Sequence, residues 1–279
     1  MKIKVNNTGR KIAVINDLSG FGRCSLAVSL PVISALKVQC CPFPTAVFSN
    51  QTGYDSFYMK DCTEDMLPFM AEWKKLGLEF DGIATGFIET PEQALHIKRF
   101  IKEFKKEKTI LEVDPVMADD GKTYQNYTPE LKEIMKELVR EADIITPNLT
   151  EACLLTDTPF HEAPWKTSEL HEIIGKLSEM GPDRIVITGI PQGEFIANLC
   201  KNGDSETQFT RSHRIGHGRS GTGDLFAAIL IADAVNGGDF LESTHKATRF
   251  MKKCLIESER MNIPPNDGLC FEKFLTTLK

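Results

Sequence analysis

The sequence predicts an α/β fold in which a central, mostly parallel β-sheet is covered by helices on both faces. Short apolar segments alternate along the chain with helical segments of about a dozen residues, the order that parallel sheets require. The apolar segments are continuous, as in residues 82–85, which is typical of strands buried on both faces. Since no repeat, low-complexity tract or long linker interrupts this pattern, we predict one domain over residues 1–279.

The predicted strands are short apolar runs that end at turn signals. The first leads into residues 19–22, which contain two glycines. Another ends at Asp114, and the proline that follows disfavours a helical backbone there. The last two flank Asn202-Gly203-Asp204, a favourable hairpin turn. The predicted strands are residues 11–16, 38–43, 82–85, 109–113, 143–146, 184–188, 194–200 and 206–211.

The predicted helices carry apolar residues at a spacing of three or four. Within residues 91–106, for example, Ala94, Ile97 and Ile101 share one helix face. Pro31 is expected to kink the first helix. The predicted helices are residues 24–36, 63–76, 91–106, 129–140, 149–156, 167–180, 222–235 and 242–259. Ligands of such sheets bind beyond the carboxyl ends of the strands, so polar residues at those ends are the candidates for a site.

The composition excludes several classes of protein. The chain has 279 residues, of which 41% are hydrophobic and 26% charged, close to the globular average. With 33 Lys+Arg against 39 Asp+Glu, the formal net charge is −6, and a general nucleic-acid binder would present more basic charge. The longest apolar stretch, residues 225–235, is interrupted by Asp233 and is about half of a membrane span. We therefore expect neither a nucleic-acid nor a membrane partner.

The cysteines and the first residues predict a cytoplasmic protein. None of the eight cysteines forms a C-x-x-C pair, and they are too few for a disulfide scaffold. Reduced thiols are the simplest interpretation, and the spacing gives a zinc site no support. Residues 1–7 have no apolar stretch behind their charges, so we do not expect a signal peptide.

The strongest local signal is Gly221-Thr222-Gly223-Asp224, here called the GTGD turn, which opens an almost wholly apolar helix. Two glycines allow the backbone to approach a ligand closely. The first amides of a helix have no internal partner and attract anions. The alternative is that Ser220 caps the helix and Asp224 only complements its dipole. That alternative leaves two glycines in three residues unexplained, so we favour an anion site.

Residues 211–219, just before the GTGD turn, contain five basic or titratable side chains. Beside an anion site, this segment fits a loop that lies over a polyphosphate. The alternatives are a solvated charged loop or, remotely, a nucleic-acid contact. His213 and His217 are four residues apart, but Gly216 and Gly218 argue against a helix that presents both to a metal.

Carboxylates follow two other predicted strands. Glu112 and Asp114 share one face of a strand, because side chains alternate along it. Carboxylates near a phosphate site commonly hold Mg²⁺, although an Asp before proline is also an ordinary turn residue. Asn148 and Glu151 have the spacing of a capping box. The other interpretation directs Glu151 toward the water shell of a metal.

Near the N-terminus, Asp17 and Ser19 follow the first strand and Thr45 follows the second. Each could contact a small polar ligand at the same edge, or could serve ordinary turn chemistry. Residues 118–124 are polar and bracket a glycine, so they are a candidate lid.

Four segments, in this order, resemble the ribokinase-like small-molecule kinases and, specifically, their pyridoxal kinase branch. The last is shared by the whole superfamily, and the second also occurs in hydroxymethylpyrimidine kinases, whereas Phe-Ser-Asn points more particularly to vitamin B6 kinases. The resemblance implies a central mostly parallel sheet flanked by helices, ATP and Mg²⁺ as cofactors, and a homodimer, and it leaves a monovalent cation open. The segments are Thr45-Ala46-Val47-Phe48-Ser49-Asn50, Asp114-Pro115-Val116-Met117, Pro147-Asn148-Leu149-Thr150-Glu151 and the GTGD turn.

The resemblance also implies a role for each matched residue. Asp224 would take the proton from the substrate hydroxymethyl group, and the backbone of residues 221–223 would stabilise the transferring phosphoryl group. Asp114 and Glu151 would act on Mg²⁺ and its waters. The expected residues are, for catalysis, Gly221, Thr222, Gly223 and Asp224; for the substrate, Asp17, Ser19, Thr45, Phe87 and Asp224; for ATP, Asp114, Asn148, Glu151, Thr188, His213, Gly221 and Gly223; and for the metal, Asp114 and Glu151.

Three residues depart from the pattern of that branch. Asp17 stands where many pyridoxal kinases carry a serine, Thr188 where the closest bacterial examples have a lysine, and Phe87 where a tyrosine is frequent. A carboxylate at Asp17 favours a ring N–H or an amine, which puts pyridoxamine or pyridoxine ahead of pyridoxal.

The predicted reaction is transfer of the ATP γ-phosphoryl group to the 5'-hydroxymethyl group of a vitamin B6 vitamer, for pyridoxal 5'-phosphate salvage. One alternative is the hydroxymethylpyrimidine kinase of thiamine synthesis. Another is a non-catalytic relative that binds B6 or a nucleotide, but such a binder has no need of metal carboxylates together with a base.

Overall fold

The computed structural model describes residues 7–125 and 127–278. Residues 1–6, on which the argument about a signal peptide rests, lie outside them. The strands are β1 Lys11–Ser19, β2 Gln39–Phe48, β3 Met59–Asp61, β4 Gly82–Thr85, β5 Ile110–Val113, β6 Ala118–Asp119, β7 Lys122–Thr123, β8 Ile144–Ile145, β9 Arg184–Gln192, β10 Phe195–Asn202 and β11 Gln208–His213. The helices are α1 Ser25–Ala35, α2 Thr63–Leu76, α3 Pro91–Phe104, α4 Pro129–Glu141, α5 Leu149–Leu155, α6 Thr167–Glu179, α7 Thr222–Val235 and α8 Phe240–Arg260.

A nine-stranded sheet in the order β11-β10-β9-β8-β5-β4-β1-β2-β3 forms the centre of the fold. The six strands from β9 to β2 in this order are parallel, whereas β3, β10 and β11 pair antiparallel at the two edges. The predicted α/β class with a mostly parallel sheet is therefore confirmed. Parallel pairing brings the carboxyl ends of β1, β4, β5 and β8 to one edge of the sheet.

Helices cover both faces of the sheet and bury two hydrophobic clusters. One cluster joins the sheet to helices α2–α6 and includes Phe43, Phe100 and Leu138. The other joins the opposite face to α1, α7 and α8 and includes Leu26 and Ile229. Helix α7 contacts both α1 and α8, which explains why it is apolar on all sides. Among the described residues, no helix is both long and apolar enough to cross a bilayer.

The predicted elements all form, and the differences lie at their ends and in short pieces. Strands β1, β2 and β9 run three, five and four residues beyond the predicted bounds. The added residues mix polar side chains, glycine and proline with apolar residues, so they show no clear strand pattern, and pairing with neighbouring strands keeps them extended. Strand β3 was not predicted because three residues are too few to show a period. The candidate lid is a hairpin of β6 and β7, and the amide of Gly121 donates to Thr150 Oγ1 at 2.9 Å.

Phe100 of α3 is expected to be one of the most costly core residues to truncate. It is fully buried, and its ring centroid lies 5.0 Å from that of Phe43 and 4.6 Å from that of Phe104. The Phe100→Ala variant should lose about 3–5 kcal/mol of unfolding free energy in urea titrations, because a large cavity replaces the ring. Leu95→Ala, on the exposed side of the same helix, is the control. Equal losses in the two variants would contradict this packing.

Candidate active site

The GTGD turn lies where helix α7 begins, against the start of helix α1. Gly221 has a φ of +79°, and a Cβ there would be 1.9 Å from the carbonyl oxygen of Arg23. Only glycine fits this position. Gly221 itself is the N-cap residue of α7, and no side chain caps the helix. The alternative in which Ser220 caps α7 is therefore wrong, and the first amides of the helix are not used by a capping side chain.

Asp224 is held on the first turn of α7 by groups from two other elements. The side-chain amide of Asn16, in β1, donates to Asp224 Oδ1 at 3.1 Å, and the backbone amide of Ser25 donates to the same carboxylate. Removal from water raises the pKa of Asp224 above that of an ordinary aspartate, although these hydrogen bonds oppose the shift. A fixed carboxylate with a raised pKa is suited to accept a proton.

Asn16 is a site residue that the sequence analysis missed. Its Oδ1 accepts the backbone amides of Asp17 and Phe87, each at 2.9 Å. A Cβ on Gly86 would be 2.4 Å from Asn16 Nδ2, so glycine is required beside it. Asn16 thus connects Asp224 to the ends of β1 and β4. The sequence signal for Asn16 was its position at the carboxyl end of a predicted strand, but the neighbouring Asp17 was chosen as the candidate there.

Asp17 is a second carboxylate beside Asp224, and it is almost fully buried. The hydroxyl of Ser19 donates to Asp17 Oδ2 at 3.1 Å, and the hydroxyl of Ser25 is also hydrogen-bonded to this carboxyl group. Burial raises the pKa of Asp17 to about 6, and the charge of Asp224 adds to the shift. A buried carboxylate of this kind gains most from a ligand that supplies a positive charge or an N–H donor.

Glu112 and Asp114 share one hydroxyl at the ends of β5 and β8. Thr146 Oγ1 lies 3.1 Å from Glu112 Oε1 and 3.2 Å from Asp114 Oδ1. Burial and the charge of Asp224 raise the pKa of Asp114 to about 7, and burial and the charge of Asp114 raise that of Glu112 well above its usual range. Asp114 also faces the GTGD turn, since a Cβ on Gly223 would be 3.6 Å from its Oδ2.

Asn148 and Glu151 form the capping box that their spacing predicts. Asn148 Oδ1 accepts the amide of Glu151 at 3.0 Å, and Glu151 Oε2 accepts the amide of Asn148 at 2.9 Å. Glu151 Oε1 accepts the amide of Met117 at 3.0 Å, which joins the cap to the segment after Asp114. Burial and the charge of Asp114 raise the pKa of Glu151 well above its usual range. The structural interpretation of this pair is confirmed, and a role at a metal stays a prediction.

Thr45 and Phe87 lie together on the side of Asn16 away from the GTGD turn. The fully buried hydroxyl of Thr45 donates to the carbonyl of Phe87 at 3.1 Å. The ring of Phe87 packs edge-on against Phe48 with centroids 5.9 Å apart. These residues form an apolar wall near Asp17, connected to it through Asn16.

Two of the residues expected around the nucleotide, Thr188 and His213, make their contacts outside the GTGD turn and Asp224. Thr188 is half-buried in β9, and its amide donates to the carbonyl of Pro147 at 2.8 Å, beside the capping box. His213 ends β11 with its ring 4.4 Å from that of Phe195. The expectation that the basic segment lies over a polyphosphate is wrong for Arg219, which is buried against the C-terminal segment. Arg211 packs over the ring of Phe209, and its contact with a polyphosphate stays a prediction.

The carboxyl groups near the GTGD turn have the chemistry that Mg²⁺ requires. Among residues 7–125 and 127–278, no three His, Cys, Asp or Glu side chains are arranged to hold a metal ion by themselves. An open arrangement fits Mg²⁺, which commonly takes one or two carboxylates and completes its shell with phosphates and waters. Glu112 Oε2 is buried without a hydrogen-bond partner in the described chain, beside the buried Asp114. A cation would relieve both the desolvation and the repulsion of this pair.

Comparison with known proteins assigns the chain to a family. The phosphomethylpyrimidine kinase family matches residues 28–267, which run from within α1 past the end of α8. The chain belongs to this family. Bovine (Bos taurus) pyridoxal kinase is 32% identical over 205 residues, which are 66% of this chain and 64% of that enzyme. The chain therefore matches slightly less than two thirds of the length of this curated relative.

Solved structures extend the similarity over almost the whole chain. A Bacteroides thetaiotaomicron protein, provisionally named a phosphomethylpyrimidine kinase, superposes with a TM-score of 0.95 at 34% identity, over 98% of this chain and 95% of that one. Another crystal form of that protein contains pyridoxal. Pyridoxal kinase from Lactobacillus plantarum superposes with a TM-score of 0.88 at 26% identity, over 96% of each chain. The resemblance to ribokinase-like pyridoxal kinases is confirmed.

Because a Cβ at Gly221 would clash, the Gly221→Ala variant should lose more unfolding free energy than an alanine at another glycine with a positive φ. Gly203→Ala is the control, because Gly203 also has a positive φ, +54°, but a Cβ there meets nothing within 4 Å. The control should lose about 1–2 kcal/mol of unfolding free energy for the backbone conformation alone. Gly221→Ala should lose a further 1–3 kcal/mol or so, because Arg23 contributes a backbone oxygen that cannot rotate away. Urea titration of both variants measures the difference, and equal losses would disprove the contact.

The raised pKa of Asp17 predicts that this residue destabilises the fold at neutral pH. Below about pH 4 its carboxyl group is protonated in both the folded and the unfolded chain. As the pH rises through about 6, only the folded chain must ionise a buried group, so the contribution to stability is lost. The Asp17→Asn variant should therefore unfold with up to about 3 kcal/mol more free energy than the parent at pH 8, and with a similar free energy at pH 4.

Urea titrations at pH 4, 6 and 8 test this expectation. Asp204→Asn, in the exposed hairpin turn, should show no comparable dependence on pH. A parallel stability profile for the Asp17→Asn variant and the parent protein would exclude a shifted pKa at Asp17.

Proposed function

We propose that this protein transfers the γ-phosphoryl group of ATP to the 5'-hydroxymethyl group of a vitamin B6 vitamer. The observation that carries the proposal is the GTGD turn, where helix amides without a capping side chain lie next to the fixed carboxylate of Asp224. Helix amides stabilise phosphate charge, and the carboxylate provides a base for an alcohol. Pyridoxal in the similar Bacteroides thetaiotaomicron structure supports the choice of acceptor.

Asp224 is the proposed general base. In the reaction, the hydroxymethyl oxygen forms a bond to the γ-phosphorus while the bond from that phosphorus to the β,γ-bridging oxygen breaks. The hydroxyl proton passes to Asp224, and ADP leaves. Because the transition state is loose and its charge is spread over the equatorial oxygens, the amides of Thr222 and Gly223 contribute by electrostatic stabilisation. Asn16 and Ser25 keep the carboxylate in place for the transfer.

Asp114 and Glu151 are proposed to hold Mg²⁺ and its waters, with Asn148 supporting Glu151. Bound Mg²⁺ would neutralise phosphate charge and orient the polyphosphate of ATP. Glu112 adds a buried carboxyl group behind Asp114, connected to it through Thr146. Thr188 and His213 are proposed on the nucleotide side, together with Gly221 and Gly223. A need for a monovalent cation is tested by replacing K⁺ with a bulky organic cation in the kinase assay described below.

The ring of the acceptor is proposed to lie between Asp17 and the wall formed by Thr45 and Phe87, with Ser19 holding Asp17. A carboxylate at Asp17 would pair with a pyridinium N–H or with the amine of pyridoxamine. Such pairing ranks pyridoxamine and pyridoxine above pyridoxal. The similarity to Bacillus subtilis hydroxymethylpyrimidine/phosphomethylpyrimidine kinase, 24% identical over 177 residues, supports a second acceptor, hydroxymethylpyrimidine, which also offers a primary alcohol on an aromatic ring.

We further propose that the protein is a cytoplasmic homodimer. Apolar side chains are exposed near the edge of the sheet that ends in β3, and a second copy would cover them. Among them, Leu18 and Val47 face each other across β1 and β2. A cytoplasmic location agrees with the cysteines, which are all free thiols and mostly buried. The exposed apolar residues near this edge are Leu18, Phe21, Val47, Phe57 and Tyr58.

The decisive experiment is a coupled ATPase assay with pyridoxal, pyridoxamine, pyridoxine and hydroxymethylpyrimidine in parallel, each with Mg²⁺ or excess EDTA. We expect ADP formation only with acceptor and Mg²⁺ present. The Asp224→Asn variant keeps the size of the side chain and removes the base, so kcat should fall by about 10²–10⁴-fold. Asp204→Asn, which removes an exposed carboxylate in the turn between β10 and β11, should keep the parent rate.

The possible outcomes separate the candidate functions. A higher kcat/KM with hydroxymethylpyrimidine than with every B6 vitamer would assign the alternative kinase. Binding of a vitamer without acceptor-dependent ADP formation would assign a non-catalytic binder. An unchanged rate in the Asp224→Asn variant would remove the base assignment.

A further inference from the structure

Arg219 is a buried arginine just before the GTGD turn, and its side chain points away from the site. It is 8% exposed. Its Nη1 donates to the carbonyls of Ile263 at 2.7 Å and Pro264 at 3.3 Å. Its Nη2 forms an ion pair with Glu259 Oε1 at 2.6 Å, at the end of α8. Its Nε is buried without a hydrogen-bond partner in the described chain, so the three contacts made by Nη1 and Nη2 are the ones that hold this buried guanidinium in place.

Glu259 contacts the same loop at a second point. A Cβ on Gly216 would be only 2.1 Å from Glu259 Oε1, so the carboxylate lies directly against the backbone of the loop. Glu259 therefore holds the segment before the GTGD turn through Gly216 and through Arg219. The carbonyl of Arg219 in turn accepts the hydroxyl of Thr222 at 3.2 Å, which links the buried arginine to the first residue of α7.

Residues 263–268, here called the C-terminal turn, connect this clamp to the segment before α1 and to a neighbouring cavity. The amide of Ser220 donates to the carbonyl of Pro265 at 3.3 Å, and the amide of Arg23 donates to the carbonyl of Asp267 at 3.1 Å. The hydroxyl of Tyr54 donates to Asp267 Oδ1 at 2.5 Å. Tyr54 lines a cavity of about 420 Å³, together with Phe21 and residues 49, 50, 55 and 56. One turn thus contacts the segment before the GTGD turn, the segment before α1 and a residue that lines this cavity.

We infer that Arg219 is a positioning residue for phosphoryl transfer, acting through Glu259 and the C-terminal turn. The inference rests on the proposed function, in which the amides of the GTGD turn must face the moving phosphoryl group. Asn16 and Ser25 hold the start of α7 through the side chain of Asp224, but no capping side chain binds its first amides. Arg219 adds contacts to the segment just before these amides, and it leaves the ligand side of the turn open. A displacement of about 1 Å at a reacting centre can cost 10²-fold in rate.

The test compares Arg219→Gln with Arg260→Gln in the full-length protein. Arg260 is adjacent to Glu259 but exposed, and it pairs with Glu257 on the same helix, so the control loses an ion pair without touching the loop. The first readout is amide hydrogen exchange of a peptide spanning residues 219–225 in the ligand-free protein. We expect at least about tenfold faster exchange there in Arg219→Gln, with peptides from β4 and β5 unchanged, because the loss of the clamp frees the turn locally.

The second readout is steady-state kinetics with the best vitamer. Arg219→Gln should lower kcat about 10–100-fold with a KM for the vitamer within about twofold of the parent value, because Asp17 and Thr45 are untouched. Arg219→Lys keeps the charge but loses the fork of donors, so its kcat should lie between those of Arg219→Gln and the parent protein. Glu259→Gln, which leaves the carbonyl partners of Arg219 in place, covers the case in which Arg219→Gln does not fold, and should show the same local exchange.

Two outcomes would overturn the inference. The first is uniformly faster exchange throughout the chain, with kcat and KM changing together, which would reduce Arg219 to general support of the fold. The second is a folded Arg219→Gln or Glu259→Gln variant with unchanged exchange in residues 219–225. Because exchange is measured without ligand, it decides the inference even if the parent protein phosphorylates no vitamer, a result that would refute the proposed function alone.

Discussion

The close contact between the starts of α1 and α7 is the constraint on which the candidate site depends. Gly221 lies against the carbonyl of Arg23 with no room for a Cβ, and the amide of Ser25 donates to Asp224. Ser25 itself adopts a left-handed backbone, with a φ of +52°, which is costly for a residue other than glycine. Two helix starts are therefore pressed together at one edge of the sheet. This arrangement places the uncapped amides of α7 and the carboxylate of Asp224 next to each other.

Much of the fold follows from local sequence, because buried parallel strands and amphipathic helices leave clear patterns. Helix α2, strand β4 and helix α7 have the predicted bounds. The sequence could not predict the far ends of β1 and β2, where Asp17 and Thr45 continue the strands. Those polar residues have no strand pattern of their own, and pairing with neighbouring strands keeps them extended. The candidate site residues at these strand ends are thus the ones that local patterns describe least.

The site shows the same division between local and distant information. The GTGD turn and the Asn148–Glu151 capping box are visible in the sequence because all of their partners are near in the chain. Asn16 is different, since its role depends on the amide of Phe87 and the carboxylate of Asp224, which only the folded sheet brings to it. The expectation that Arg219 lies over a polyphosphate is wrong for the same reason. A basic residue beside a phosphate site suggests a phosphate contact, and only tertiary structure shows its partners in the C-terminal segment.

The buried carboxyl groups around the GTGD turn explain why so much of the structure serves to hold it. Asp17, Asp114 and Asp224 all have raised pKa values because they are removed from water, and Asp224 repels the other two. These charges oppose folding, yet the proposed phosphoryl transfer needs a base beside a cation-binding carboxylate. The opposing free energy must come from elsewhere, and the apolar helix α7, packed between α1 and α8, supplies it. An almost wholly apolar helix therefore begins beside a group of buried carboxylates.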